Sequence, residues 1–363
     1  MARNAVRTFT NTAGWLLAGL IGLALLLPVT GRAADTIEAE IKRHTAKIAR
    51  LNQKKRPISW AMTHLRLGRV LYLKGRQDND LDILDQALAA FSGTEALWSE
   101  QRTPKKWSMV QYEKARVYEW RAKITDYDDN LDTALGLINT AMSKRPNDPK
   151  DHKRARLEMY QARLMINSGV DRLTGDALVR AGYESFEAVF SRYQPEPKSF
   201  DWNSVLIGHA NAKRAFAFIT SDKDLMQQAA DSLKQAEDNA RENRSNAQLN
   251  EARFQRGRTL TMLSWLKDDT AFALEAAALF ELARPYYQAR GNAARLAFLD
   301  GGYAYAIFLL AIDSPKTYSA KESLERLIRA ERTLREMNRI TAADEYARYI
   351  VYARKAVQKL GHW

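Results

Sequence analysis

The chain contains no cysteine among its 363 residues. It therefore forms no disulfide bond, has no thiol nucleophile and offers no thiolate ligand to a metal. Only nine prolines are present, and no proline-rich or glycine- and serine-rich linker interrupts the sequence after residue 35. The protein must hold itself together by side-chain packing, and the sequence shows no domain boundary beyond that residue.

Histidine is also scarce and poorly spaced for metal binding. No two of the five histidines stand four residues apart, the spacing that would present two ligands on one helical face. They are His44, His64, His152, His209 and His362. Neither a phosphate-binding glycine loop nor a glycine–serine–glycine nucleophile elbow occurs. The sequence thus predicts no metal site, no cofactor and no enzymatic activity.

The first 34 residues differ in character from the rest. Arg3 and Arg7 precede an apolar run, residues 13–29, and small residues precede Asp35. A positive start, a short apolar region and a small-residue cleavage site describe a secretory signal peptide, cut after Ala33. A retained membrane anchor through residues 13–29 is the alternative, since the run is just long enough to span a bilayer. Both interpretations predict an exported protein, either periplasmic or otherwise outside the cytoplasm.

Acidic residues are outnumbered by basic ones. The net charge is +13, and removal of the leader with its three arginines and no acidic residue leaves +10. Such a charge favours anionic partners, either an acidic protein surface or an anionic glycan. Nucleic acid is excluded as a partner of an exported chain.

The sequence repeats itself six times with a period of 45 to 49 residues. The first recurring position is small in five of its six occurrences, at Gly68, Arg116, Ala162, Gly208, Gly257 and Gly302. An alanine follows 18 to 21 residues later, at Ala87, Ala134, Ala181, Ala229, Ala276 and Ala320. Four residues further on stand Phe91, Ile138, Ser185, Leu233, Phe280 and Leu324. A period of this size indicates stacked supersecondary units.

Each unit is predicted to be a pair of helices. Apolar residues recur at three- and four-residue spacing through both halves of a unit, as on one helical face. Seven residues before each repeat alanine, side chains that can cap a helix start occur in five units, at Asp80, Thr174, Asp222, Asp269 and Asp313. Pro315 would then lie in the first turn of its helix, where it is harmless. In the remaining unit, Asp126 and Asp128 flank the position.

These residues resemble the tetratricopeptide repeat. Leu67 and Gly68 match its first helix, Ala87 and Phe91 its second, and a second copy is seen at Ala134, Ile138, Ala141 and Pro146. The units exceed the standard repeat of about 34 residues, so either the helices or the loop within a pair must be longer. The resemblance implies an all-α, right-handed solenoid of about six helix pairs over residues 57–335. Residues 35–56 and 336–363 are predicted to form capping helices.

In tetratricopeptide arrays the first helix of each pair lines a concave groove, and here that helix carries many basic residues. The resemblance implies a binding face made of Arg69, Arg163, His209, Arg258, Arg66, Lys114, Trp120, Arg121, Arg156 and Lys213. Guanidinium groups bind carboxylates in a fork, so the face would suit an acidic partner. The alternative is that these are ordinary solvated side chains of a basic protein.

The sequence favours a non-enzymatic scaffold that holds a protein in an envelope assembly. Binding of an anionic envelope polysaccharide or wall polymer is the main alternative. Glu184 and Glu322 are each followed by serine, as is the catalytic glutamate of lytic transglycosylases. Both dipeptides fall in the predicted second helix of a unit, and no separate catalytic domain remains, so this interpretation ranks last.

Overall fold

The computed structural model describes residues 31–145, 151–171, 175–192, 200–315, 317–337 and 339–360. Within these ranges every regular element is an α-helix. The helices are α1 Gly31–Arg50, α2 Pro57–Asp78, α3 Leu81–Glu95, α4 Pro104–Arg121, α5 Tyr127–Ser143, α6 His152–Asp171, α7 Asp176–Arg192, α8 Phe200–Thr220, α9 Lys223–Glu242, α10 Asn246–Lys267, α11 Thr270–Gln288, α12 Ala293–Asp313, α13 Ala320–Glu336 and α14 Ile340–Leu360. The predicted all-α solenoid is confirmed.

Helices α2 to α13 form six pairs, whose first and second members we call A and B helices. Two compact units are present, Val29–Leu164 and Met165–Trp363, and the division falls within α6. Consecutive helices pack against each other from α1 to α5 and from α7 to α14. The A helices α2 and α4, α8 and α10, and α10 and α12 also contact each other. Helix α1 packs on α2, and α14 packs on α13.

The turn within a pair is short and has a recurring conformation. Asn79, Ser221 and Asp268 adopt the left-handed backbone region, with φ of 55°, 54° and 60°. Each is followed by an aspartate that begins the B helix, and Asp80 accepts a hydrogen bond from the amide of Ile83. Asp222 and Asp269 accept equivalent bonds. The extra length of the repeat therefore lies in the helices, since A helices run for 18 to 22 residues.

The small positions of the repeat admit aromatic rings between helices. A Cβ at Gly68 would lie 2.5 Å from the ring of Phe91, which is the large residue of the same pair. Phe280 lies between two glycines, because a Cβ at Gly257 or Gly302 would approach its ring to 2.9 or 2.7 Å. Phe280 itself is fully buried. Glycine at these positions therefore sets how closely A and B helices approach.

Two details of the predicted register are wrong. In α7 the buried residues are Val179, Gly182, Phe186 and Val189, one position after the predicted Ala181 and Ser185. Asp313 ends α12 instead of capping a helix, and Ser319 caps α13 by accepting a bond from the amide of Glu322. Pro315 consequently precedes that helix in the connecting loop. Thr174, Pro146 and residues 1–30 of the predicted leader lie outside the described residues.

Replacing Ala276 with leucine is expected to lower the free energy of unfolding by about 1–3 kcal/mol, because Ala276 is fully buried between helices. Ala134 is equally buried and should respond in the same way. Ala278 is exposed on the same helix as Ala276, so its replacement with leucine is the matched control. Urea unfolding measures all three variants. Equal stability of the Ala276 and Ala278 variants would contradict the packing described here.

Candidate interaction surface and a buried ion network

The ten predicted binding residues occupy very different environments. Arg66 and Arg156 are exposed, and Arg69 keeps 43% of its side chain accessible. Lys114, Arg121 and Lys213 are half-buried and bond a neighbouring B helix at Glu95, Asp85 and Gln228, respectively. Arg163 is largely covered, with 12% of its side chain accessible. Trp120, His209 and Arg258 are buried.

Arg69, Arg116 and Tyr72 meet where α2 packs against α4. Arg69 forms an ion pair with Glu113 at 2.7 Å, and Arg116 pairs with the same carboxylate at 2.8 Å. The guanidinium of Arg116 also lies 4.6 Å from the ring centre of Tyr72. Glu113 is 4% exposed and binds both arginines, whose side chains remain 43% and 28% accessible. Aromatic faces attract cations, which adds to this fixing of Arg116.

The same arrangement continues from α4 to α6. Glu119 accepts hydrogen bonds of 2.7 Å from both Tyr160 and Arg163. Burial raises the pKa of Glu119, but the positive charges of Arg163 and Lys123 outweigh it and lower the pKa to about 2. The rings of Tyr112 and Tyr160 meet edge to face with centres 5.1 Å apart. The carboxylate therefore stays ionised and holds Arg163 in place at any physiological pH.

We call this region of the first unit the arginine–tyrosine surface. It consists of Arg66, Arg69, Tyr72, Tyr112, Glu113, Arg116, Glu119, Arg156, Tyr160 and Arg163. It contains five arginines and two glutamates. Within the described residues, Arg66 and Arg156 form no ion pair, so the surface carries a net positive charge. Tyrosine rings lie between the cations, and the charge of Arg156 reaches Tyr112, where it counteracts the rise in pKa caused by burial.

In the second unit the A helices share a buried ion network instead. Arg258 of α10 forms a 2.8 Å ion pair with Glu345 of α14, and the two side chains are 8% and 2% exposed. Tyr349 donates a hydrogen bond to Glu345 at 3.1 Å. Arg295 of α12 pairs with Glu251 of α10 at 2.8 Å. These contacts join α14 and the A helices α10 and α12 through charged groups that solvent barely reaches.

The prediction of an exposed binding face is therefore wrong for three of its residues, which are buried. Arg258 is covered because Glu345 of α14 lies against it and accepts its hydrogen bond. Trp120 is buried among the cationic side chains of Arg76 and Lys123, at 5.4 and 4.6 Å from its ring. His209 is 2% exposed because Phe190 stacks on its ring, and its Nε2 lies 2.6 Å from Glu187.

The acidic partners were missed by sequence reasoning, although they leave a signal. Arg69 and Glu113 are 44 residues apart, as are Glu119 and Arg163, and Glu251 and Arg295. This separation is close to one repeat, so it joins adjacent A helices. A search for opposite charges one repeat apart could have found all three pairs.

Histidine burial gives the protein a testable pH dependence. Desolvation lowers the pKa of His64 below 6.5, because both ring nitrogens are buried without a hydrogen-bond partner among the described residues. The unfolded chain then binds more protons, so stability is full above about pH 6.5 and is lost as pH falls through the folded-state pKa. Replacing His64 with phenylalanine should flatten this loss, measured as unfolding free energies between about pH 7 and 5. Identical slopes for both proteins would contradict this assignment.

Other potential sites can be assessed in the described part of the chain. It contains no group of three or more histidine, aspartate or glutamate side chains placed to hold a metal. Helix α12 is long and apolar enough to cross a membrane, but 56% of its most apolar window is buried inside the protein, as in a core helix. Glu184 and Glu322 are exposed on α7 and α13. The predicted membrane segment, residues 13–29, lies outside the described residues.

No protein-family model matches the chain, and no curated protein matches it significantly. Among solved structures it is similar to the apo form of RapI, with 14% identity over 80% of this chain and 99% of that one, at a TM-score of 0.41. A Rap protein complexed with competence and sporulation factor matches at 11% identity over 90% and 99%, with a TM-score of 0.35. A circular tandem repeat protein matches at 11% over 99% and 94%, with a TM-score of 0.32. At such scores nothing about binding is transferred from these proteins.

The arrangement of the helices themselves thus shows that the chain is a helical-repeat protein. Six A–B pairs, their recurring turns and their glycine–aromatic contacts establish the architecture. Membership of the tetratricopeptide family in particular stays a prediction.

Proposed function

We propose that this protein is an exported, non-enzymatic scaffold that holds an acidic protein partner on the arginine–tyrosine surface. The observation that carries the proposal is the excess of arginine over glutamate there, with Arg66 and Arg156 exposed and free of ion pairs within the described residues. Helical-repeat proteins commonly bind along the surface formed by successive repeats. A surface with five arginines would bind a partner rich in carboxylates.

The arrangement of the arginines supports binding beyond their number. Glu113 and Glu119 fix Arg69, Arg116 and Arg163 in single orientations, so a partner would not have to order these long side chains. Arginine is also among the residues enriched in the few side chains that carry most of the binding energy of protein interfaces. Arg66 and Arg156, which are exposed, would guide the approach of an acidic partner by electrostatic attraction.

An anionic envelope polysaccharide or wall polymer is the second candidate ligand. Its carboxylates would meet the same guanidinium groups, and sugar rings stack readily on exposed tyrosine. Tyr72 and Tyr160 are buried, however, and Tyr112 is half-buried, so few ring faces are available for stacking. This favours a protein.

Export is proposed from the leader alone. The charged start, the apolar run at residues 13–29 and the small residues before Asp35 support it. N-terminal sequencing of the protein from fractionated cells tests it, with a terminus near Ala34 expected for a cleaved signal. An intact Met1 on a membrane-bound species would indicate the anchor, and a soluble cytoplasmic pool retaining residues 1–34 would contradict both.

Reversing two charges tests the binding proposal. Arg66→Glu combined with Arg156→Glu should leave folding unchanged, because exposed substitutions usually alter stability by no more than about 0.5 kcal/mol each. Affinity for the partner captured by the native protein from envelope extracts should fall by about 100-fold or more, since like charges across an interface cost several kcal/mol. Wild-type binding should also weaken as salt rises.

The control variant carries the same change in charge elsewhere in the same unit. Arg50 and Arg102 are exposed and form no ion pair in the described part of the chain, so Arg50→Glu with Arg102→Glu should retain the partner. Equal loss in both variants would mean that only net charge matters. Full retention by the Arg66 and Arg156 variant would rule out the arginine–tyrosine surface. Preferential capture of acidic polysaccharide by the native protein would favour the second candidate ligand.

A further inference from the structure

Arg214 of α8 is a buried cation without a carboxylate partner. The residue is 4% exposed. One of its terminal nitrogens donates to the side-chain oxygen of Gln255 at 2.9 Å and lies 3.5 Å from the Gln255 carbonyl. The Nε–H and the other terminal amino group donate to no described residue. Three of the five N–H donors of this guanidinium are therefore unused.

The charged side chains around Arg214 leave one positive charge without a matching negative charge. Arg258 is matched by Glu345, and Arg295 is matched by Glu251. Gln255 donates its amide to Glu251 at 2.8 Å, which fixes its oxygen toward Arg214. Burial, and then the nearby Arg258, lower the pKa of Arg214 to about 9. The fold thus keeps a third cation where the network has only two anions.

A second unused polar group lies one turn away. Asn211 precedes Arg214 by three residues on α8, which places the two side chains on one face of the helix. Asn211 is fully buried, and neither its amide nitrogen nor its amide oxygen has a hydrogen-bond partner in the described part of the chain. A buried amide left unpaired costs free energy, so it indicates a group that a ligand would satisfy.

We propose that Arg214 and Asn211 form a binding site for a single carboxylate group. The Nε–H and terminal N–H of a guanidinium present two parallel donors that match the two carboxylate oxygens, and the Asn211 amide can supply a third. One negative charge neutralises the surplus. A dianionic phosphate fits less well, because Glu345 lies within electrostatic reach of Arg214 and its Oε2 is buried without a donor.

The carboxylate could belong to a small organic acid or to the C-terminus of a peptide. Sodium acetate is the probe for the first source, and trialanine with a free or an amidated C-terminus is the probe for the second. Inorganic phosphate and sodium chloride at equal ionic strength are the comparison salts. The full-length mature protein is labelled with nitrogen-15 at arginine Nε, and Arg214→Lys identifies the Arg214 signal by removing it.

We expect the Arg214 Nε–H signal to shift saturably with acetate, or with free trialanine but not with its amide, and to shift less with phosphate. No saturable shift with either carboxylate probe, or the same shift with chloride, would overturn the proposal. The site belongs to the second unit and shares no residue with the arginine–tyrosine surface of the first, so its failure leaves the proposed function untouched.

Thermal unfolding supplies an independent measurement. Acetate should raise the melting temperature of the native protein and of Arg284→Gln, because Arg284 pairs with Asp300 and Glu281 outside the network. It should not raise that of Arg214→Gln. Equal stabilisation of both variants would overturn the assignment to Arg214, and if Arg214→Gln does not fold, the titration of the native protein decides.

Discussion

Replacing Arg258 with methionine is expected to lower the free energy of unfolding by about 3–5 kcal/mol, because Glu345 would be left buried without its ion-pair partner. The loss should exceed that from removing an exposed arginine of the same chain, such as Arg50. Urea unfolding followed by circular dichroism measures both. The pair joins α10 to α14, so the effect extends beyond one repeat.

Removing both partners separates charge burial from packing. Arg258→Met combined with Glu345→Leu should recover most of the lost stability, since replacing a buried ion pair with apolar groups is often neutral or stabilising. A double variant as unstable as the single one would mean that Arg258 acts through its other contacts. A single variant as stable as the native protein would contradict the burial of Glu345.

Truncating Phe280 to alanine is expected to cost about 3–5 kcal/mol. The ring is fully buried and fills the space that Gly257 and Gly302 leave between α10, α11 and α12. Its removal would leave a cavity against two A helices, which cannot collapse freely because both pack on further helices. Denaturant unfolding measures the loss, with Leu282→Ala on the exposed side of the same helix as the control.

Coupling between Phe280 and Gly302 tests the geometry itself. Gly302→Val should destabilise the native protein by about 1–3 kcal/mol through overpacking against the ring. In the Phe280→Ala background the same change should cost little or even stabilise, because the new methyl groups would enter the cavity. Additive effects of the two substitutions would show that the ring does not contact Gly302.

Local pattern was enough to predict the helix pairs and much of their packing. Gly68, Ala87 and Phe91 belong to one helix pair and lie close together in the sequence, so their spacing alone predicts how the two helices of the pair pack. Asp80, Asp222 and Asp269 were recognised as caps because a cap depends on its own next three residues. Asp313 looked equally suitable, but six further residues separate it from its helix.

The binding face was harder to predict because exposure depends on distant repeats. Arg69 and Arg258 occupy equivalent positions of their A helices, yet Arg69 keeps 43% of its side chain accessible and Arg258 keeps 8%. The difference arises from Glu345, which follows Arg258 by 87 residues. In α7 the predicted buried positions were one residue too early. Ala181 and Gly182 are both small, so the sequence does not reveal which of them faces the partner helix.

The short turns within helix pairs restrict where the chain can lengthen. Between α2 and α3, between α8 and α9, and between α10 and α11 only two residues intervene, and both are committed, one to a left-handed backbone and one to a cap. An inserted tag or reporter there would uncap a helix. The connection at residues 96–103 joins one pair to the next, and it offers room that a surface loop can use at small entropic cost. Growth of such a protein, by engineering or by gene duplication, should therefore proceed in whole pairs.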